Sequence, residues 1–545
     1  MGNIEFSGIS FIMVLSNFFR RKRMKLMHRI LLAVLLLSIA SLPLFASGQG
    51  GTAPAAVNNK LTVWMPINSN VAANFTNEGD TFFAKELSRQ TGIDVTYQHP
   101  AAGAENEAFN LMVADGTYPD IIEWNFATGY AGGPEKAISD GVIVRLNDII
   151  DKWSPNLKKV FADNPDYAKQ SRTDTGSYYD YPFVRDGQLL LFSFGLYMRM
   201  DWLKDLGLPN PQTMDDVHNV LVAFRDQKGA TSPYTGESGI LLGDNAFCYA
   251  FGQNYGFYVH NDGTVHYGVL EPGFRTYLTT MAQWYKEGLI DQDIFSNNFA
   301  SVTSKLLDGK SGMSNGWLSS GMNARNLAAK PTNPSFSLMM VANPSTTKGQ
   351  KSDYSYGDFA VPPTACGTIS GTTKNQQLAA QFLDYGYSDA GHMLFNFGIE
   401  GVSYNMVNGY PTYTTAAIGN PNGWTPSQGV AAYARASFGG SFLQDERYIR
   451  QLMNTPEASS SLDTIINMPA LNHNLPPLTP TPNESQEMAS IMNEVNTYVS
   501  EMVTKYILGT ENLGTFDTFI STVQRMGIDR ALAIQNAALD RYNKR

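Results

Sequence analysis

The sequence predicts an α/β protein built as two lobes, each a mostly parallel sheet flanked by helices, with extra helices at the C-terminal end. Three observations lead there. The chain has 545 residues, too many for one ordinary hydrophobic core. From Leu61 to Trp124 the hydrophobic period alternates between that of a strand and that of a helix. In 195–226 the pattern is interrupted by Pro209 and Pro211 and then restarts, which reads as backbone passing from one lobe to the other.

Taken in order, Leu61-Thr-Val-Trp-Met reads as a buried strand, 80–90 as a helix, 93–98 as a strand, 105–114 as a helix stopped by Asp115-Gly116, and 121–124 as a third strand. This alternation favours a parallel sheet with right-handed crossovers, in which ligands gather beyond the carboxyl ends of the strands. A helix over 143–153 is stopped by Pro155, and 178–183 and 189–194 read as extended. Asp201 opens a short helix that ends at Gly207, and Thr213 with Asp216 forms the boxed start of the next. His260-Asn-Asp-Gly-Thr264 is a hairpin turn signal between 257–259 and 265–267. An amphipathic helix follows over 274–287, a shorter one over 301–307, and then a short strand and loop over 312–317. Strands are expected at 335–341 and 358–361, and helices at 376–387 and 391–397. The proline-punctuated stretch 398–482, which includes Pro469, reads as loop-rich; 484–507 and 516–542 are long helical patterns expected on the outside of a lobe.

The resulting boundaries are a secretory signal peptide at 1–46, with 1–23 an upstream extension, and a Gly/Ala/Pro tether at 47–60. The first lobe is 61–194, the crossover 195–226, the second lobe mainly 227–480 with exchange of chain between lobes, and the C-terminal helices 481–545. The signal reading rests on the basic cluster from Arg20 to Arg29, the apolar run 30–40 and the small residue closing Leu44-Phe45-Ala46. Pro43 and the shortness of the run argue against a retained membrane anchor. The only cysteines are Cys248 and Cys366, far from the cut, so the sequence predicts export to the periplasm or exterior without a lipid anchor; a disulfide between them is left open. The formal charge is −10; loss of 1–46, whose six basic residues face only Glu5, leaves about −15. Such a surface excludes nucleic acid as a partner.

Enzyme signatures are scarce. There is no His-Glu-x-x-His helix, P-loop or dinucleotide glycine fingerprint. Gly312-Met-Ser314-Asn-Gly316 matches a nucleophile elbow, but no clear helix follows it, and it reads as a chance match. His260 and His266 face each other across the predicted hairpin, yet two imidazoles without a third ligand make a poor zinc site, so no metal and no cofactor are expected. No pair of carboxylates is singled out for glycoside hydrolysis.

The aromatic residues are more telling. Trp64 and Trp124 fall at carboxyl ends of strands, and Trp317 in a glycine-flanked loop of the second lobe. An indole on such a loop covers the C–H face of a sugar ring and keeps its N–H for a hydroxyl, whereas the bland alternative is core packing, evenly balanced for Trp64. Trp153, Trp202 and Trp284 lie on helical apolar stripes and read as core. Asn68, Ser69, Asn70, Asn125, Ser314 and Asn315 crowd the same loops, where neutral amides and hydroxyls suit a neutral polyol and equally well cap turns.

Four segments in order then carry a resemblance: Asn110-Leu-Met-Val-Ala-Asp-Gly-Thr-Tyr-Pro-Asp-Ile-Ile, Met198-Arg-Met-Asp-Trp-Leu-Lys-Asp-Leu-Gly-Leu, Gln283-Trp-Tyr-Lys-Glu-Gly-Leu-Ile-Asp and Phe397-Gly-Ile-Glu-Gly-Val-Ser-Tyr. The chain resembles the extracellular solute-binding proteins, family 1, of carbohydrate ABC importers, in particular the LipO-like and alginate-binding members. The resemblance implies a two-lobed type II periplasmic-binding-protein fold that closes on an oligosaccharide and delivers it to the transmembrane subunits of a permease, as a monomer and without catalysis. It places the Trp317 loop and Tyr178-Tyr179 on the cleft, and makes Arg199 and Trp202 structural. Together with the strand-end residues, the expected ligand contacts are Trp64, Asn68, Trp124, Asn125, Tyr178, Tyr179, Asn315 and Trp317. The sequence departs from the family at Asp226-Gln-Lys-Gly-Ala-Thr-Ser-Pro-Tyr-Thr-Gly-Glu237, which lacks the oxygen ligands of the calcium-holding loop in the alginate binders. A secreted carbohydrate-active enzyme and a sugar-sensing module without transport are the alternatives, separated from the receptor by turnover of sugar and by neighbouring permease genes.

Overall fold

Leu61 and Val63 are almost wholly buried on either side of Thr62, and the strand they define founds the first sheet. The structure is a computed structural model that describes residues 59–243, 245–419, 421–453, 455–467 and 473–545. The expected signal peptide, nearly all of the tether and Pro469 lie outside the described residues. Strand β1 (Lys60–Trp64) pairs in parallel with β2 (Asp94–Gln98) and β3 (Ile121–Trp124). Further along come β4 (Val184–Asp186), β5 (Phe194–Arg199), the hairpin β6 (Phe257–Val259) and β7 (Val265–Tyr267), β8 (Met313–Trp317) and β9 (Leu338–Met340). They are followed by β10 (Cys366–Ile369), the hairpin β11 (Tyr404–Val407) and β12 (Tyr410–Tyr413), and β13 (Leu443–Asp445).

The architecture is the expected α/β fold of two lobes. One sheet has the order β10-β3-β1-β2, parallel except for β10, and the other has the order β8-β5-β9. Asp120 fastens the first: one carboxylate oxygen accepts from the Thr62 amide and hydroxyl, both at 2.9 Å, and the other from Thr373 and Asn375. The second sheet is antiparallel throughout its ladders, not parallel as expected. The strand–helix alternation that forces parallel crossovers ends at Trp124, and the chain returns along β5 from the opposite end each time, so Tyr197 faces Ser314 on one side and Met340 on the other.

Residues 195–226, expected as the crossover, form the centre of this second sheet and its core. Leu196 and Met198 are fully buried, which requires a covered sheet on their side, and the helices Met200–Leu206 and Met214–Lys228 provide it through Trp202, Leu221 and Phe224. The Thr213–Asp216 capping box forms as expected. Residues 188–191 are a helical turn, not an extended run: the Leu190 amide donates to the Gly187 carbonyl and the Phe192 amide to the Gln188 carbonyl, both at 3.1 Å. The passage between lobes lies upstream. There β4 runs parallel to β13, and the Arg185 amide donates to Ala360 at 2.7 Å.

The C-terminal helices are less peripheral than expected. Val495, Val499, Val503 and Ile507 repeat every four residues along the helix Pro482–Leu508 and are buried against Pro272–Lys286, inside the core that holds Phe274, Met281 and Trp284. Trp202 and Trp284 are core residues and Trp153 packs half-buried at the edge of the first lobe. Cys248 and Cys366 are both buried and are not joined in a disulfide. Among the described residues no helix is long and apolar enough to cross a membrane.

Packing also explains the Gly-x-Ser-x-Gly match. Ser314 is fully buried inside β8, and its hydroxyl donates to the Asn315 carbonyl. Gly312 is required because a Cβ there would strike the Phe224 ring and lie 2.8 Å from Trp202 Cε3. Gly312→Ala is therefore expected to lower stability by about 1–3 kcal/mol through overpacking, read as a lower melting temperature; an unchanged melting temperature would show that these rings move aside freely.

Candidate functional site

The carboxyl ends of β1 and β3 and the passage between the lobes open onto two neighbouring cavities. The larger, about 1090 Å³, is lined from the first lobe by the turn after β3 and by Tyr179 and Asp180, and from the second by Tyr249, Asn254 and Phe257. The smaller, about 420 Å³, is lined by Asn70, Arg185, Ser193, Trp317, Phe438 and Tyr448 among others. Two contacts stand between them. Arg185, on the smaller cavity, forms an ion pair with Asp358, on the larger. Phe194, Trp317 and Tyr356 form a ring trio with centroids 5.1 to 5.6 Å apart, Trp317 lining one cavity and Tyr356 the other.

The expected ligand residues divide. Trp317 is 40% exposed and meets both of its ring neighbours edge to face, which leaves much of the indole open. Tyr179 lines the larger cavity, and burial holds its hydroxyl well above the usual phenol range. Asn125 pins the turn that forms the wall: its oxygen accepts from the amides of Ala127 and Thr128, and its Nδ2 donates to the Pro363 carbonyl at 2.9 Å. Asn68 caps the short helix Ser69–Ala72 by accepting from the Asn70 amide, and Asn70 reaches the smaller cavity.

Of the others, Trp64, Trp124 and Asn315 are held in the interior and Tyr178 is half-buried. Trp64 is 7% exposed and packs on Phe109 and Trp124. Trp124 stacks on Phe109 at 4.7 Å and donates its indole N–H to the Gly129 carbonyl, so neither its face nor its N–H is open to a ligand here. Tyr178 stacks on Phe161, and Asn315 accepts from the Tyr234 hydroxyl at 2.9 Å beneath the sheet. Phe109, on the helix Glu105–Asp115, is what draws both tryptophans inward. Sequence reasoning passed over Tyr130, Asn254, Phe257, Tyr356 and 474–480; the aromatic run around Asp180 was the one available signal for this wall.

Electrostatically the larger cavity is close to neutral. Among the described residues lining it there is no Lys, Arg or His. Burial acts on both of its acids. Burial pushes Asp180 up to about 8, and burial also raises Asp358 despite Arg185 beside it. Asn254 Oδ1 and Gln535 Oε1, both in residues lining this cavity, are buried and lack a hydrogen-bond partner within the protein, as are Ser437 Oγ and Gln444 Oε1 in residues of the smaller one. Unpartnered neutral acceptors beside aromatic rings suit hydroxyl-rich, uncharged ligands.

The profile of the bacterial extracellular solute-binding protein family matches residues 72–393. The chain belongs to that family. Among its relatives is the fructooligosaccharide ABC transporter substrate-binding protein FusA of Streptococcus pneumoniae, 26% identical over 485 residues, 84% of this chain and 86% of that one. The lipoprotein LipO of Bacillus subtilis is 24% identical over 64% of this chain and 69% of its own. The crystal structure of the alginate-binding protein AlgQ2 without calcium ion superposes with a TM-score of 0.73 at 27% identity, covering 88% of this chain and 98% of that one. In this chain both cavities are lined by residues of both lobes.

At 226–237, Asp226 is engaged by Arg225, and Ser232 and Thr235 donate to Asp291. Asp291 is buried and its charge is met from within the chain: the Lys305 ammonium contacts both of its oxygens at 2.9 and 2.7 Å, Asp293 at 2.9 Å and Asn297 Oδ1 at 3.1 Å. This solute-binding protein thus carries a tethered cation in that region.

Asp180 makes stability depend on pH. Its folded value near 8 exceeds the unfolded value of about 4, so its contribution is full below about pH 4 and is lost as pH rises through about 8. Asp180→Asn, which carries no proton, is expected to gain on the parent protein by at least about 1 kcal/mol between pH 5 and 8, measured by denaturant melts; parallel curves would show that Asp180 is ionised in the fold.

Proposed function

We propose that this protein is the extracytoplasmic receptor of an ABC importer and that it captures a neutral oligosaccharide between its lobes. The observation that carries the reading is the larger cavity, which couples aromatic walls and unpartnered amide oxygens with the absence of cationic side chains among its described lining residues. A uronate chain needs cations to offset the cost of stripping water from its carboxylates, and Arg185, at the smaller cavity, is already committed to Asp358. The relationship to FusA, whose name specifies fructooligosaccharides, favours the same class.

In this reading Trp317 and Tyr356 stack on sugar rings, Tyr179 and the turn held by Asn125 form the opposing wall, and the paired segments β4 and β13 flex as the hinge. Ligand shifts the open–closed equilibrium by no more than its preference for the closed form, and the permease transmembrane subunits recognise that form. The receptor acts as an exported monomer, carries no prosthetic group and performs no chemistry on the sugar.

Calorimetric titration of the exported chain with neutral fructo-, gluco- and galacto-oligosaccharides, set against oligouronates of equal length, tests this directly. Tight binding confined to neutral sugars, with none shortened on chromatography, is the expected result; selective uronate binding or release of shorter sugars would overturn it. Trp317→Ala is expected to weaken the bound sugar by roughly 1 kcal/mol or more with little change in melting temperature, because the ring is already 40% exposed. Unaltered affinity would remove Trp317 from the site.

A further inference from the structure

The tip of the β6–β7 hairpin gathers donors that the sequence shows only as two separated histidines. His260 and His266 lie side by side with ring centroids 4.2 Å apart and planes 18° apart. Between the strands the turn reverses at Gly263, whose φ of +81° favours glycine. This folds Asp262 back toward both rings. Its Oδ1 accepts from the Thr264 amide at 2.9 Å and the Thr264 hydroxyl at 2.8 Å, which fixes the carboxylate. His260 Nδ1 is then 3.5 Å from Asp262 Oδ1, and His266 Nε2 is 3.1 Å from Asp262 Oδ2. One ligand atom from each residue lies within 4.8 Å of the others.

The hydrogen bonding around His266 gives the cluster its direction. His266 Nδ1 is 2.7 Å from Glu271 Oε1, a contact that keeps the ring proton on Nδ1. His266 Nε2 then faces Asp262 Oδ2, an arrangement met either by a second ring proton or, when the ring is neutral, by a cation between the two atoms. Two ligands at about 2.1 Å around a tetrahedral ion are about 3.4 Å apart, close to the His260 separation from Asp262 Oδ1, while His266 meets the other oxygen, Oδ2. A carboxylate behind a histidine is also the usual outer partner of a zinc ligand, where it orients the ring and raises its basicity.

We propose that His260, Asp262 and His266 bind a divalent transition ion of the zinc class, with Glu271 as the positioning residue behind His266. Two imidazoles and one carboxylate suit zinc, and not calcium or magnesium, which take shells of oxygen. Asp262 is exposed and a fourth position faces solvent, so the ion exchanges. The site lies more than twenty residues beyond 226–237 and is independent of any calcium loop there. Its consequence reaches the cavity wall. Tyr258 packs against both imidazoles and Tyr354, β7 is gripped by Asn536 of the last helix, and Phe257 at the start of β6 lines the larger cavity. An ion at the tip staples the hairpin that holds Phe257 in place.

The test uses the exported chain without a histidine tag, stripped by chelator and titrated with zinc chloride. One equivalent is expected to bind, cobalt in its place is expected to show the visible bands of four-coordinate geometry, and the imidazole nitrogen resonances of His260 and His266 are expected to shift with zinc and stay still with calcium. Asp262→Asn and His266→Ala are each expected to lose at least about tenfold in zinc affinity, and Glu271→Gln about tenfold. The proposal is overturned if zinc leaves those resonances unmoved in the unaltered protein, or if the Asp262→Asn, His266→Ala double variant keeps full affinity. Sugar binding by the zinc-free protein is scored separately, so failure here leaves the receptor reading standing.

Discussion

Backbone pairing where the chain passes between its lobes is the constraint on which the rest depends. The chain leaves the first sheet after Trp124 and enters the second at Phe194, and it returns between Met340 and Cys366. Each passage exposes amides and carbonyls that a buried segment must satisfy. Here they satisfy one another: Arg185 donates to Ala360, and Val184–Asp186 lies in register with Leu443–Asp445. The same short ribbon presents Arg185 and, through Asp358, the ion pair that stands between the two cavities. A narrow hydrogen-bonded joint of this kind allows rotation at little cost in packing, since the two lobes keep their own apolar cores.

The cavity walls follow from that geometry. Because the strands of the first sheet end at the joint, the turn after β3 faces the second lobe, and Asn125 holds that turn by three hydrogen bonds. Its amide is thereby spent on bracing the wall. The neutral character of the wall has a cost in the fold: Asp180 is kept there at the expense of its charge, and polar atoms such as Asn254 Oδ1 are buried without a partner within the protein. Groups left in this state are retained where a ligand or water makes use of them.

Legibility differed by element. The strand–helix alternation of 61–124 was visible because a parallel sheet with both faces covered imposes two distinct periods on the sequence. The Thr213 capping box was visible because capping is local, and the C-terminal helices because a stripe at spacing four survives any context. The helical turn at 188–191 was hidden, since three successive leucines after Gln188 fit a strand and a turn equally well. The stretch 398–482 gave no period, yet it supplies Ser437, Phe438 and 474–480 to the cavity walls. Loops are placed by what they dock against, and nothing in their own spacing records it.

The tryptophans show the division most clearly. The sequence alone determined that the chain is a two-lobed α/β protein of the solute-binding family, that Trp202 and Trp284 belong to helical core stripes, and that indoles stand at the ends of strands. It did not determine which of those indoles is left open. Trp64 and Trp124 turn inward because Phe109, on a helix between them in sequence, offers a ring to stack on, whereas Trp317 has only the edges of Phe194 and Tyr356 and stays open. The same holds for His260 and His266, which acquire a third donor only when Gly263 folds Asp262 back between them. Periodicity is a property of neighbours along the chain and can be read from it. Convergence is a property of distant residues, and only the packed structure decides it.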